Sequence, residues 1–210
     1  MEQNQEPEIA RKNPVQARSK QTVETILEAT ARILEEEGGE NLTTNHLARR
    51  AGFSIGTIYQ YFPNREAIVL ALIERQREAT WRRIETVLDD GRFDTAEAKV
   101  RQIVRILHEA FNVHRMPQRR LVRALLQLAI AQGVPAPPDR IGRLLFVLAA
   151  QACETDRRQP DKGEAFVLTH SLFETLRQAT LQSSPLLGTA GFEDALVRLV
   201  FGFVRESATR

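Results

Sequence analysis

The sequence predicts an all-α fold, and three observations carry that prediction. Apolar residues return at three-to-four spacing in segment after segment, no stretch alternates apolar and polar residues between hairpin turns, and glycines and prolines punctuate the periodic segments. No internal repeat is present.

Residues 1–16 are polar, include Pro7 and Pro14 and show no period, which predicts a flexible arm. Val23, Ile26, Leu27, Thr30, Ile33 and Leu34 then form one face of a helix, and Gly38-Gly39 supplies its left-handed stop. Thr43 or Thr44 caps a short second helix, and Ser54 caps a short third one after the turn at Gly52. Asn64 caps a long helix through Ile68, Leu72 and Ile84 that leaves the first unit and enters the second. Helical patterns follow over 95–114, 117–132, 139–154, 164–182 and 192–207, separated near Gly91, Pro117, the 135–138 stretch, Pro160 and Pro185. The organisation expected is an arm over 1–16, a first unit over 17–63 and a larger helical unit over 64–210.

Composition places the chain among ordinary globular proteins, with 42% hydrophobic and 27% charged residues in 210. The net charge of +2 is unevenly spread. Glu2, Glu6 and Glu8 come first, then Arg11, Lys12, Arg18 and Lys20 with no acid among residues 11–20. Such a segment either meets a polyanion or is a solvated tail. The single cysteine, Cys153, excludes an intrachain disulfide and fits a reducing compartment. The charged N-terminus lacks a signal peptide's apolar core, and the apolar stretch at 144–150 is too short to span a bilayer, so a cytoplasmic location with no membrane partner is expected. His46, His108, His114 and His170 show no metal-ligand pairing, and no glycine-rich phosphate loop or nucleophile signature occurs. We therefore expect no catalytic residue, metal or cofactor.

Residues 43–62, TTNHLARRAGFSIGTIYQYF, meet a specific mechanical requirement, because two short helices that cross tightly need small residues at the crossing. Leu47 and Ala51 face inward, Ala48 is small where the next helix passes, and Gly52 gives the turn. Phe53 and Ile55 are expected inside, with Ile58 and Phe62 packing the third helix on the first. That leaves Gly56, Thr57, Tyr59, Gln60 and Tyr61 facing out, rich in hydroxyls and an amide that reach phosphates and base edges. A generic helix hairpin shows one or two of these features, whereas their combination fits a helix-turn-helix with an insertable recognition helix. The partner implied is double-stranded operator DNA.

The run LTTNHLARRAGFSIGTIYQYFPNREAI resembles the N-terminal domain of the TetR family of regulators over residues 17–70, most specifically at IYQYFPNRE. The resemblance implies phosphate or base contacts from Tyr59 and Tyr61, close approach to the groove at Gly56 and Thr57, and a phosphate contact from Thr44. Ser54 and Gln60 join that face. Arg65 would complete the clamp where the family more often has lysine, and a guanidinium fork differs in geometry from an ammonium. Arg49 and Arg50 either touch the DNA backbone or are solvated.

One recognition helix buries too little for a selective site, so two half-sites read by a homodimer are expected. In the last helix Phe192, Ala195, Leu196, Leu199, Val200 and Phe203 form an apolar stripe, while Val197, Phe201 and Val204 lie off it as surplus. The preceding helix adds Leu168, Leu172 and Leu176, with Phe166 and Val167 besides. Two such helices from each subunit would make a four-helix interface, the alternative being a fully buried monomeric core.

The resemblance also implies a cavity among the middle helices for a small-molecule effector, with the long helix from Asn64 as lever. Candidate lining groups are Trp81, His108, Phe111 and His114, together with Gln127, Cys153, His170 and Phe173, each equally readable as an ordinary core or surface residue. Arg115, Arg119 and Arg123 make a stripe for an anion or a solvated face. A repressor released by its ligand is the function expected. The alternatives are an architectural DNA-binding protein that senses nothing and a ligand-dependent activator.

Overall fold

The computed structural model describes residues 14–111, 119–134, 139–153 and 159–207, and the described residues are all-helical. Helix α1 (Pro14–Glu36) starts inside the expected arm. Proline suits a first helical turn, where its missing N–H has no partner to lose. Residues 1–13 lie outside the described residues. Gly38, at φ 90°, stops α1 as its N–H closes on the Ile33 carbonyl at 3.1 Å.

Helices α2 (Thr44–Ala51) and α3 (Ile55–Tyr61) owe their ends to short polar side chains. Thr43 accepts from the His46 amide at 3.2 Å, and Ser54 accepts from the Thr57 amide at 3.1 Å. Gly52, at φ 73°, turns the chain between them. Asn64 accepts from the Ala67 amide at 2.8 Å and starts α4 (Arg65–Asp89), whose 25 residues extend about 37 Å at 1.5 Å per residue.

Beyond α4 come α5 (Ala96–Phe111), α6 (Arg119–Ala131), α7 (Arg140–Ala152), α8 (Lys162–Leu181) and α9 (Ala190–Ser207). Helix α8 starts two residues before its expected limit because Asp161 and Glu164 form a reciprocal capping box.

Two apolar cores result. The first joins Ile26, Ile33 and Leu34 of α1 to Leu47 of α2, Ile58 of α3 and Ile68 and Leu72 of α4. It is closed from far along the sequence by Leu121, Ala124 and Leu125 of α6. The second core gathers α5, α7, α8 and α9 around the far end of α4, at Ile84 and Val87. Helix α4 therefore runs from one core into the other, as its apolar pattern predicts. No described helix is long and apolar enough to cross a membrane.

Helices α7 and α8 approach each other closely at Gly142. A Cβ at Gly142 would lie 2.3 Å from the Thr169 hydroxyl oxygen and 2.5 Å from the Ala165 carbonyl oxygen. The Gly142 amide also donates to that hydroxyl at 3.1 Å. Gly142→Ala gains about 1 kcal/mol of helix propensity but forces the helices apart at a cost of about 1–3 kcal/mol or more. Net destabilisation is expected, and a lower urea midpoint in equilibrium unfolding checks it.

Candidate functional site

The first unit presents α3 on a firm footing. Leu47, Ala48 and Ile58 are buried between α2, α3 and α1. The small side chain of Ala48 permits the crossing, and its carbonyl takes the Phe53 amide at 3.0 Å. Thr44 and Tyr59 bring their hydroxyls within 3.3 Å, which links the N-terminus of α2 to the outer face of α3. Ser54 and Thr57 likewise share a hydroxyl contact of 2.9 Å.

The outward face differs from the sequence expectation at two positions. Tyr59, Gln60 and Gly56 are exposed as expected, and Thr57 is half-exposed. Tyr61 instead is half-buried against the first core. Ile55, expected inside, is 38% exposed, because it opens α3 ahead of the turn that Ile58 anchors. It adds an apolar contact surface to the polar ones, of the kind that meets a thymine methyl in the major groove.

The cations are deployed unequally. Arg65 is half-buried and donates to the Gly39 carbonyl at 3.3 Å, tying the start of α4 to the turn after α1. Its guanidinium thus also serves as a staple within the first unit. Arg50 is held by Glu36. Arg49 is exposed and donates to the His46 Nδ1 at 3.3 Å, which leaves the ring proton on Nε2 to be donated to Glu37 at 2.9 Å.

A cavity of about 610 Å³ lies between α4, α5, α6, α7 and α8. Trp81, Phe111 and Phe173 line it, as the sequence reading proposes, and the two phenyl rings meet edge to face at 5.8 Å. The other candidates among the described residues sit elsewhere. Gln127 is exposed on α6, and Cys153 ends α7 away from the lining. His170 stacks on Phe166 at 3.8 Å and hydrogen-bonds the Phe166 carbonyl. Arg123 pairs with Ser183 instead of lining the cavity. His114, Arg115 and the side chain of Arg119 lie outside the described residues.

Sequence reasoning missed that the cavity and the first core share walls. Ile73, Leu121 and Leu125 belong to the core and face the cavity as well. At the start of α6 the Leu121 amide donates to Glu35 at 2.7 Å, and Arg120 donates to the Glu36 carbonyl at 3.2 Å. A three-to-four pattern marks such residues as apolar without revealing that two sides compete for them.

The apolar residues of the last two helices are covered largely within the chain itself. Leu168, Leu172 and Leu176 of α8 and Leu196, Val197, Val200 and Val204 of α9 are buried in the chain's own second core, and Phe201 packs against it half-buried. Their partners are α5 and α7, which the spacing within α8 and α9 could not reveal. The large apolar side chains left exposed among the described residues of these two helices are Phe166, Val167 and Leu199.

Comparison with known proteins follows the same division. Residues 26–72 match the family described as bacterial regulatory proteins, tetR family. The nucleoid occlusion factor SlmA of Vibrio campbellii is 38% identical over 85 residues, which cover 40% of this chain and 42% of that protein, less than half of the relative's length. SlmA of a Marinomonas species is 26% identical over 183 residues, 86% of this chain and 79% of that protein. Among solved structures, the transcriptional regulator FadR from Bacillus subtilis in complex with stearoyl-CoA superposes with a TM-score of 0.59 at 17% identity, over 86% of this chain and 98% of that one. This likeness shows the fold alone.

His108, offered by sequence as a cavity group, works within the second core. It is 4% exposed, its Nε2 accepts the Gly188 amide at 2.9 Å, and its ring meets Phe192 edge to face at 5.5 Å. Burial pushes its pKa below the ordinary histidine value, and Glu193 and Glu109 offset that only in part. Protonating Nε2 would break the Gly188 contact. The folded state thus favours neutral His108, so the contribution is present above the unfolded-state value of about 6.5 and is lost as pH falls below it. Urea unfolding at pH 7.5 and 5.0 is expected to show lower stability at the acid value, with a smaller difference in His108→Gln.

Proposed function

We propose, for a chain whose N-terminal domain belongs to the tetR family of bacterial regulatory proteins, a homodimeric repressor that binds operator DNA and releases it when a small molecule fills the cavity. The carrying observation is that Ile73, Leu121 and Leu125 serve the core beneath the recognition helix and the cavity wall together. A ligand that displaces those side chains acts on the seating of α1 and α4. By linkage, DNA and ligand then weaken each other by the same factor, commonly about 1–3 kcal/mol.

On the DNA, α3 enters the major groove with Ile55, Gly56, Thr57, Tyr59 and Gln60 toward the bases and phosphates. Thr44 and Ser54 stand at the N-termini of α2 and α3, where backbone amides favour phosphate. Arg49 is the exposed cation beside them. Two half-sites need two subunits, and the second copy meets the faces of α8 and α9 that carry Phe166, Val167 and Leu199.

A second reading has one observation in its favour. The relatives matched over the N-terminal part are named nucleoid occlusion factors, which fits a protein that marks chromosomal DNA and senses no effector. Duplexes selected from a random pool separate the readings by fluorescence anisotropy at several salt concentrations. Selective binding relieved by a small molecule supports the repressor, and selective binding that no compound relieves supports the second reading.

In the same assay Tyr59→Ala is expected to weaken selected DNA by about tenfold or more, from roughly 1–3 kcal/mol per lost contact, with the oligomeric state unchanged. Unaltered affinity removes Tyr59 from the interface. Sedimentation of a Phe166→Glu, Leu199→Glu double variant is expected to give monomers, and a persisting dimer places the interface on another face.

A further inference from the structure

We propose that the cavity takes an amphiphile with an apolar body and one anionic head group, a carboxylate or a phosphate, and that Arg140 receives the head. The inference rests on the reading of the cavity as an effector site and adds the chemistry of what fills it.

The walls are mostly aliphatic and aromatic, with Leu107, Phe111, Leu125, Ile141 and Phe173 among them, and their 610 Å³ falls within the range of about 300–1,000 Å³ usual for small-molecule sites. Among the described residues the charged groups on the lining are Arg77, Arg83, Arg140 and Arg177 against Glu74 and Glu174, a cationic balance. Both carboxylates are already engaged, Glu174 by Arg177 and Glu74 by Arg77 at 3.7 Å. Arg83 is engaged by Glu109 at 2.6 Å, outside the lining. Among the described residues of the lining, a cationic ligand would find no carboxylate that is not already paired.

Arg140 differs from the other three. Among the described residues it has no carboxylate within ion-pair distance, and its guanidinium carbon lies 3.9 Å from the centre of the Trp81 ring. A ring face satisfies part of the charge and leaves the N–H fork free at its edges. An oxyanion completes it through charge-assisted, bidentate hydrogen bonds. A wholly apolar ligand closing over the same spot would remove water from the cation and return nothing.

Trp81 is the protein's only tryptophan and lines the cavity, so its emission reports on the site directly. The full chain is titrated with dodecanoate, dodecyl phosphate, dodecanol and dodecyltrimethylammonium below their micellar concentrations, by Trp81 emission and by isothermal calorimetry together. At least one anion is expected to bind about tenfold or more tightly than the alcohol and the cation, as a charge-assisted hydrogen bond predicts. The tighter of the two anions identifies the head group. Arg140→Gln is expected to erase that preference and leave dodecanol affinity within about twofold, since the apolar walls supply that part of the binding. Failure of both anions to bind, equal or tighter binding of the alcohol, preference for the cation, or an anion preference that survives Arg140→Gln overturns the proposal. Anisotropy of selected DNA in the same samples keeps the two readings apart. Anion binding without DNA release leaves the ligand class standing and overturns the release mechanism, whereas release by a non-anionic compound does the reverse.

Discussion

Helix α6 is a wedge on which both halves of the molecule depend. Leu121, Ala124 and Leu125 fill the side of the first core that α1 and α4 leave open, and each fully buried leucine contributes about 1.5–3 kcal/mol. The same helix forms a wall of the cavity. The unit that presents the recognition helix is therefore not self-sufficient, because part of its interior is supplied by the region expected to sense a ligand. Interiors packed this closely transmit a displacement instead of absorbing it.

The run Glu35, Glu36 and Glu37 at the end of α1 shows how much of this is organised by charge. Carboxylates at a helix C-terminus oppose its dipole, so three in succession are unfavourable unless something answers them. Each is answered by a different group. Glu35 accepts from the Leu121 amide and so caps α6, Glu36 holds Arg50, and Glu37 accepts from His46. One turn of helix thereby fixes the positions of α2 and α6 together. Exposed pairs of this kind add little individually, and their value here is geometric.

What was legible in the sequence was what short-range chemistry determines. Thr43, Ser54 and Asn64 cap three successive helices as their residue types foretell, and Gly38 and Gly52 take the left-handed conformations that end α1 and α2. The exposed face of α3 followed from Ile58 as its anchor, with Ile55 and Tyr61 exchanged because a helix of seven residues has no full turn to spare at either end. Long-range choices were not legible. Val197 and Val204 read as surplus only because α5 and α7, which share the second core with α9, were not yet placed. Nothing local revealed that the Gly39 carbonyl lies within reach of Arg65. Gly142 drew no attention in a helix whose apolar pattern was already satisfactory, yet it sets the approach of α7 to α8.

The division of labour on α3 bears on how such a protein diversifies. Ile58 and the cap at Ser54 hold the helix in place, while Gly56 and Gln60 are exposed and enter into none of the packing that holds it. Substitutions at those two sites leave the fold largely indifferent, since surface changes away from structural features usually stay within about 0.5 kcal/mol. If this face reads DNA as proposed, drift toward new target sequences needs no compensating stability, and the constraint falls instead on Tyr59, whose hydroxyl is shared with Thr44.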